Sequence, residues 1–348
     1  MNFASDNTGP AHPDVMAALL RANEGYATPY GEDALMGPVR DRIRETFGAP
    51  EAEVFLVATG TAANSLALAC LVEPWQAIYT SAVSHIQADE CGAPEFFTGG
   101  AKLVLVPETD ARMTPEGLDA TIREGLPRGL HFVQPGAVSI TQVTERGTVY
   151  GLDTLAGLTH VAKAHGCPVH MDGARFTNAL VALGATPAEM SWKAGIDVLV
   201  FGGTKNGLMG AEAVVFFDPA KRDEATFRRK RGAQLFSKHR YLSAQFAAYL
   251  EDDLWLRMAR AANDAGQRLA KGLAALPHAD LLHPAEANMI YVALPRAAHR
   301  RAVTAGAEYF MTLDALEGGA EDDMIPARLV TNWATTEAEI EAFLAHIA

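Results

Sequence analysis

The sequence predicts an α/β fold, with a mostly parallel seven-stranded sheet, helices on both of its faces and a smaller α+β part behind it. Two observations predict this. Short β-branched or apolar runs alternate with helical patterns from about residue 25 to about residue 240. Several of those runs are apolar at every position, as strands sandwiched between two helix layers are. The strands are expected at Val54–Ala58, Ala77–Thr80, Lys102–Val106, Leu130–Gln134, Pro168–Met171, Asp197–Phe201 and Ala213–Phe217.

Helix starts are legible between the strands. Thr114-Pro115-Glu116 and Thr186-Pro187-Ala188-Glu189 each place a capping hydroxyl before a proline at the first helical position. Gly166 is expected to cap the helix Ala156–His165. After residue 240 the alternation stops. One long helical stretch, Tyr241–Leu276, is followed by strand Met289–Leu294, helix Arg296–Ala305 and strand Ala327–Trp333. A last helix is opened by the capping box Thr336-Glu337-Ala338-Glu339. The expected organisation is an N-terminal segment (1–24), a large α/β domain (25–240) and a small α+β domain (241–348).

Composition narrows the function. The chain has 348 residues and a net charge of −13, with one basic cluster at Arg228–Arg231. That balance disfavours nucleic acid or an anionic membrane as the main partner. Cys70, Cys91 and Cys167 have no metal-ligand spacing, so no metal site and no disulfide framework is expected. Reduced thiols and the lack of a basic, then apolar, N-terminal stretch point to a cytoplasmic location.

In an open α/β sheet, ligands gather at the carboxyl ends of the strands. Three strand ends carry chemistry. The first is followed by Thr59-Gly60-Thr61-Ala62, where small residues and a helix N-terminus suit an anion such as a phosphate. The fifth ends on Asp172, followed by Gly173-Ala174-Arg175. A carboxylate there is costly unless paired. A protonated pyridine nitrogen would pair with it, and so would Arg175, which could instead hold a substrate carboxylate. The sixth leads into Gly202-Gly203-Thr204-Lys205, where a lysine among small residues suits a Schiff base. Each signal alone has a bland reading: a tight turn, an internal salt bridge, an exposed lysine on a glycine loop. Together, in that chain order, they point to pyridoxal phosphate (PLP) held on Lys205. No Walker or GxGxxG motif competes. His85, after the second strand, could stack on a flat ring or move a proton, and Asp89 and Glu90 follow it closely.

These residues fall into a pattern. Phe3-Ala4-Ser5-Asp6-Asn7, Tyr30-Gly31-Glu32-Asp33, Gly60-Thr61, Ser84-His85-Ile86, His170-Met171-Asp172-Gly173-Ala174-Arg175, Gly203-Thr204-Lys205 and Ala327-Arg328-Leu329-Val330-Thr331 resemble the low-specificity L-threonine aldolases, in the β-eliminating lyase group of fold-type I PLP enzymes. The resemblance implies that Lys205 carries the cofactor, Asp172 faces its ring nitrogen, Gly60, Thr61 and Thr204 hold its phosphate, and His85 lies over the ring. It implies that Ser5, Arg175 and Arg328 grip the substrate carboxylate, that Tyr30 and Asp89 touch the substrate, and that Arg231 and Lys238 reach a phosphate in a neighbouring subunit of a homotetramer. Where many relatives have a second histidine after the fourth strand, Gln142 is aligned here, leaving His85 with a water, or Asp89, as the general base.

The implied activity is retro-aldol cleavage of threonine, allo-threonine and phenylserine-like β-hydroxy-α-amino acids to glycine and an aldehyde. The alternatives are a β-eliminating lyase or aminotransferase of the same fold, told apart by their products, and a non-catalytic binding module, told apart by its lack of PLP absorbance.

Overall fold

The computed structural model describes residues 1–312 and 314–348. Seven strands form the main sheet: β1 (Glu53–Val57), β2 (Gln76–Ser81), β3 (Lys102–Val106), β4 (Gln134–Thr141), β5 (Val169–Gly173), β6 (Val198–Gly202) and β7 (Glu212–Phe216). Their order is β1-β7-β6-β5-β4-β2-β3. The pairs from β6 through to β3 are parallel, and β7 runs antiparallel to both of its neighbours. The expected mostly parallel, seven-stranded sheet is present. Because β7 alone is reversed, its first residue, Glu212, lies beside Gly202 at the carboxyl end of β6.

Alternation along each strand feeds two cores. Val54 and Leu56 of β1, Leu199 and Phe201 of β6, and Ala213 and Val215 of β7 enter one cluster with Phe47, Phe176 and Phe246. Phe55 and Val57, Val198 and Val200, and Val214 and Phe216 enter the other, against Ala63, Leu66 and Ala67 of helix Gly60–Ala69. Helices therefore cover both faces, and every residue of β1, β5, β6 and β7 is buried.

Four local expectations are corrected. The fourth strand starts at Gln134, not Leu130. Pro127 and Gly129 break the run Leu126–His131 into 3-10 turns, Gly129 has a positive φ of 52°, and Leu130 is 89% exposed. The Thr186 hydroxyl accepts from the Glu189 N–H, but it caps a turn that runs into the 3-10 segment Trp192–Ala194 and not a helix. The long C-terminal helical stretch is two helices, Arg240–Leu250 and Leu254–Ala274. Asp252 and Asp253 divide them, at φ of 48° and 54°. Local hydrogen bonding lets aspartate tolerate that region. Gly166 follows a helix that spans Leu152–Ala164, one turn longer at its start than expected, and adopts φ of 71°.

Beyond residue 275, β8 (Met289–Pro295) pairs antiparallel with β9 (Met324–Val330), and Asp280–Leu281 adds a short third strand. The Thr336–Glu339 capping box opens the last helix as expected. Phe3 from the N-terminus packs here with Leu269, Ile290, Val292, Leu329 and Phe343.

One turn joins the two sheets. After β4 the chain folds back at Thr144–Thr148, where the two threonine hydroxyls lie 2.7 Å apart. Tyr291 of β8 donates its hydroxyl to the Glu145 carbonyl at 2.8 Å. Gly147 takes φ of 79°, and a Cβ on it would stand 2.3 Å from the Met289 carbonyl oxygen. Strain and overpacking therefore act together at this position. Gly147→Ala is expected to destabilise the fold by about 2–4 kcal/mol, read as a lower urea midpoint at unchanged slope; an unshifted midpoint would show that the turn yields freely.

Candidate active site

The carboxyl ends of β1, β2, β4, β5 and β6 surround a cavity of about 410 Å³. Gly60, Thr61, His85, Asp89, Asp172, Arg175, Thr204 and Lys205, eight of the residues singled out from sequence, line it. Asn7, Asn64, Glu145 and Glu212 line it as well.

Each wall follows from a local signal. Helix Gly60–Ala69 starts at the cavity, where the Thr59 hydroxyl caps the Ala62 N–H at 3.2 Å. A Cβ on Gly60 would meet none of the described residues within 4 Å, so this helix N-terminus opens onto free space. Asp172 is buried at the end of β5. Its Oδ1 accepts from the Ala174 N–H at 2.9 Å and its Oδ2 from the Asn64 amide at 2.9 Å. The same amide donates to Glu90 at 2.8 Å, and Glu90 Oε1 lies 2.7 Å from His85 Nδ1. Asn64 and Glu90 thus tie the Asp172 strand end to the His85 turn.

The charges are set by burial and by one another. Burial alone would raise the Asp172 carboxyl, but the Lys205 charge and the Ala174 N–H outweigh it and hold the group below the usual carboxylate range. Burial depresses the Lys205 amine, and the Arg175 charge adds to the effect. The Glu90 hydrogen bond raises His85 against the opposing pull of burial. An anionic acid and an amine of lowered pKa therefore share one cavity.

Several expectations need correction or relocation. Gln142 does not face the cavity. Its side chain is buried, donates to the Tyr150 carbonyl and accepts from the Tyr150 N–H, both at 3.0 Å. It braces the chain after β4 and is closed to a substrate. Arg175 forms no pair with Asp172 at contact distance; it is clamped by Asp6, with Nε–Oδ2 at 2.6 Å and Nη2–Oδ1 at 2.9 Å. Ser5 caps the turn Asp6–Thr8, accepting from Asn7 N–H at 3.1 Å, and its neighbour Asn7 reaches the cavity instead. Arg328, on β9, is not among the residues that line the cavity; it donates to the Ala4 carbonyl at 3.1 Å and stacks 5.1 Å from the Phe310 ring, and its buried Nε has no hydrogen-bond partner among the described residues. Tyr30, Arg231 and Lys238 are exposed and lie outside this cavity in the chain's own fold. Arg231 borders a different groove with Phe96 and Phe97.

The family model for beta-eliminating lyases matches residues 2–295. The chain belongs to the beta-eliminating lyase family. Within it, the chain is 41% identical over 347 residues to a low-specificity L-threonine aldolase of Pseudomonas sp. strain NCIMB 10558, covering 99% of this chain and 96% of that one. It is 41% identical over 334 residues to the enzyme of the same name from Pseudomonas aeruginosa, covering 96% and 93%. Among solved structures, the threonine aldolase of Leishmania major superposes with a TM-score of 0.91 at 27% identity, over 99% of this chain and 98% of that one. The serine palmitoyltransferase of Sphingomonas wittichii superposes at 0.74 with 18% identity over 100% and 86%, a likeness of fold alone. This beta-eliminating lyase family member has the fold-type I architecture of PLP-dependent enzymes. Among the described residues, no helix is long and apolar enough to cross a membrane.

Sequence reading missed two acids of this family member's cavity. Burial pushes the Glu145 carboxyl up to about 7, against the hydrogen bond from the His85 N–H. Burial also pushes Glu212 up to about 7, against bonds from Thr204 and the Gly203 N–H. A carboxyl whose folded pKa lies above its unfolded value, 4.5, favours folding below about pH 4.5 and loses that contribution as pH rises through 7. Glutamine at position 212 can still accept from Gly203 and does not titrate. Glu212→Gln is therefore expected to gain stability over the unsubstituted protein between pH 5 and pH 8, by on the order of 3 kcal/mol at about 1.4 kcal/mol per unit. Urea denaturation at both pH values checks this, and a pH-independent difference would contradict it.

Proposed function

We propose that this family member is a PLP-dependent aldehyde-lyase that cleaves the Cα–Cβ bond of L-threonine, L-allo-threonine and phenylserine-like amino acids to glycine and an aldehyde. One observation carries the reading: the amine of Lys205 and the carboxylate of Asp172, far apart in sequence, line the same cavity at the carboxyl edge of the sheet. The open helix N-terminus at Gly60 and the depressed amine suit a phosphorylated aldehyde. PLP, when bound, supplies an electron sink for the bond that breaks.

The residues divide the work. Lys205 would hold the cofactor aldehyde, Asp172 the ring nitrogen, and Gly60, Thr61 and Thr204 the phosphate. His85, fixed by Glu90, would lie against the ring. Arg328 would bind the substrate carboxylate through its Nε, which has no hydrogen-bond partner among the described residues, with Ser5 of the N-terminal turn and Arg175 of the cavity wall assisting. With two of its nitrogens already given to Asp6, Arg175 contributes chiefly charge. Holding the carboxylate would restrict rotation about Cα and so select which bond is broken; positioning of this kind supplies up to about 7–11 kcal/mol. Asp89, at the exposed rim, meets the far end of the side chain. Tyr30, Arg231 and Lys238 act from a partner subunit, in a homotetramer whose sites lie at subunit interfaces in the cytoplasm.

The deciding experiment incubates the PLP-loaded protein with each of the three amino acids. Glycine plus aldehyde is expected, whereas ammonia plus a keto acid would mean β-elimination. Lys205→Ala is expected to lose both turnover and the visible absorbance of bound PLP; retained activity would remove Lys205 from its role. Arg328→Ala is expected to raise KM more than it lowers kcat, and unchanged values of both would place the carboxylate elsewhere.

A further inference from the structure

The Glu145 side chain reaches the cavity from the turn that follows β4. Its Oε1 accepts the backbone N–H of His85 at 2.8 Å. Its Oε2 is buried and has no hydrogen-bond partner among the described residues. An unpaired carboxylate oxygen at a buried site costs free energy unless something meets it. The cavity is what remains to supply that partner.

Resting on the aldolase reading above, we propose that Glu145 is the group that takes the proton of the substrate's β-hydroxyl. The carboxylate accepts the hydroxyl proton, the O–H pair becomes the second C–O bond of the aldehyde, and the Cα–Cβ pair passes to the electron sink. One proton leaves oxygen and one must arrive at Cα before glycine is released, so the balance closes with no co-reactant.

The groups around Glu145 favour this assignment over the alternatives. His85 has its Nδ1 committed to Glu90, and that bond favours its charged, non-basic form. Asp89 is exposed at the rim. Asp172 is bonded to Asn64 and Ala174, and its negative charge helps to raise Glu145. Lys205 and Arg175 are the cations of the same cavity. Tyr150 lies behind the turn with its hydroxyl bonded to Met113 and Ala111, its own pKa raised by burial. A base is most effective when its pKa lies near the working pH, and burial brings Glu145 to about 7.

The test compares Glu145→Gln with the unsubstituted holoenzyme. Glutamine can still accept the His85 N–H, so the turn is kept. Four quantities are read: kcat/KM for L-threonine against pH, exchange of the glycine Cα proton with solvent, PLP affinity, and the infrared band of protonated carboxyls against pH. Glycine has no β-hydroxyl, so its exchange needs no such base.

The expected result is a fall in kcat/KM by about 10²–10⁴-fold and loss of the limb near pH 7, with exchange and PLP affinity retained. The carboxyl band that titrates near pH 7 should lose intensity in the variant. Glu145→Asp should restore part of the limb. A variant with unchanged kcat/KM and an intact limb overturns the proposal. So does equal loss of cleavage and exchange, which would make Glu145 a positioning residue for His85.

If the glutamine variant does not fold, the unsubstituted enzyme decides. A limb near pH 7 in threonine cleavage but not in glycine exchange supports the proposal, and the same limb in both, or in neither, overturns it. Unsubstituted enzyme that forms no aldehyde removes the aldolase reading and this proposal with it. Aldehyde formed equally well by both proteins removes the proposal alone.

Discussion

Asp172 and Lys205 face one cavity from adjacent strand ends, and the cost of keeping both there shapes their surroundings. Burial works against the charge of each, and each offsets part of that cost for the other. The parallel strands explain why this arrangement is possible. Their carboxyl ends lie together, so a strand can be apolar along its whole length and still deliver one polar residue to a shared edge. Asn64 and the Ala174 N–H then satisfy the oxygens of Asp172, and Asn64 extends the network to Glu90 and His85.

A second buried pair shows the same logic. Asp6 and Arg175 join the N-terminal turn to the end of β5, and Asn288 adds a hydrogen bond to Asp6 at 3.2 Å from just before β8. The first residues of the chain, the main sheet and the C-terminal sheet are therefore connected through one buried carboxylate, that of Asp6. Phe3 adds an apolar anchor close by in the C-terminal core. The Thr144–Thr148 turn makes the corresponding link on the other side, through Tyr291 and the close approach of Gly147 to Met289.

Much of this was legible in the chain. Six of the seven strands lie within about two residues of where their apolar runs place them, because a doubly covered strand has little choice of composition. The fourth was displaced because Leu130, Phe132 and Val133 look like a strand while Pro127 and Gly129 shape the chain around them. Asp172, Lys205 and Gly60 stand out because each comes directly after, or closes, an apolar strand. The same position relative to the true end of β4, Thr141, leads to Glu145, four residues on; the misplaced strand and the choice of Gln142 hid it. Glu212 was hidden for another reason. It sits at the start of a strand, and only the reversal of β7 brings that end to the cavity. Such long-range pairing leaves no local trace, and nor does the clamp of Asp6 on Arg175, 169 residues apart.

The most direct test of the account is a crystal structure of the protein grown with PLP. Continuous density is expected between Nζ of Lys205 and the cofactor's aldehyde carbon, with a carboxylate oxygen of Asp172 at hydrogen-bond distance from the ring nitrogen. A ring bound elsewhere, or an Asp172 still turned only to Asn64 and Ala174 with the nitrogen unpaired, would contradict it.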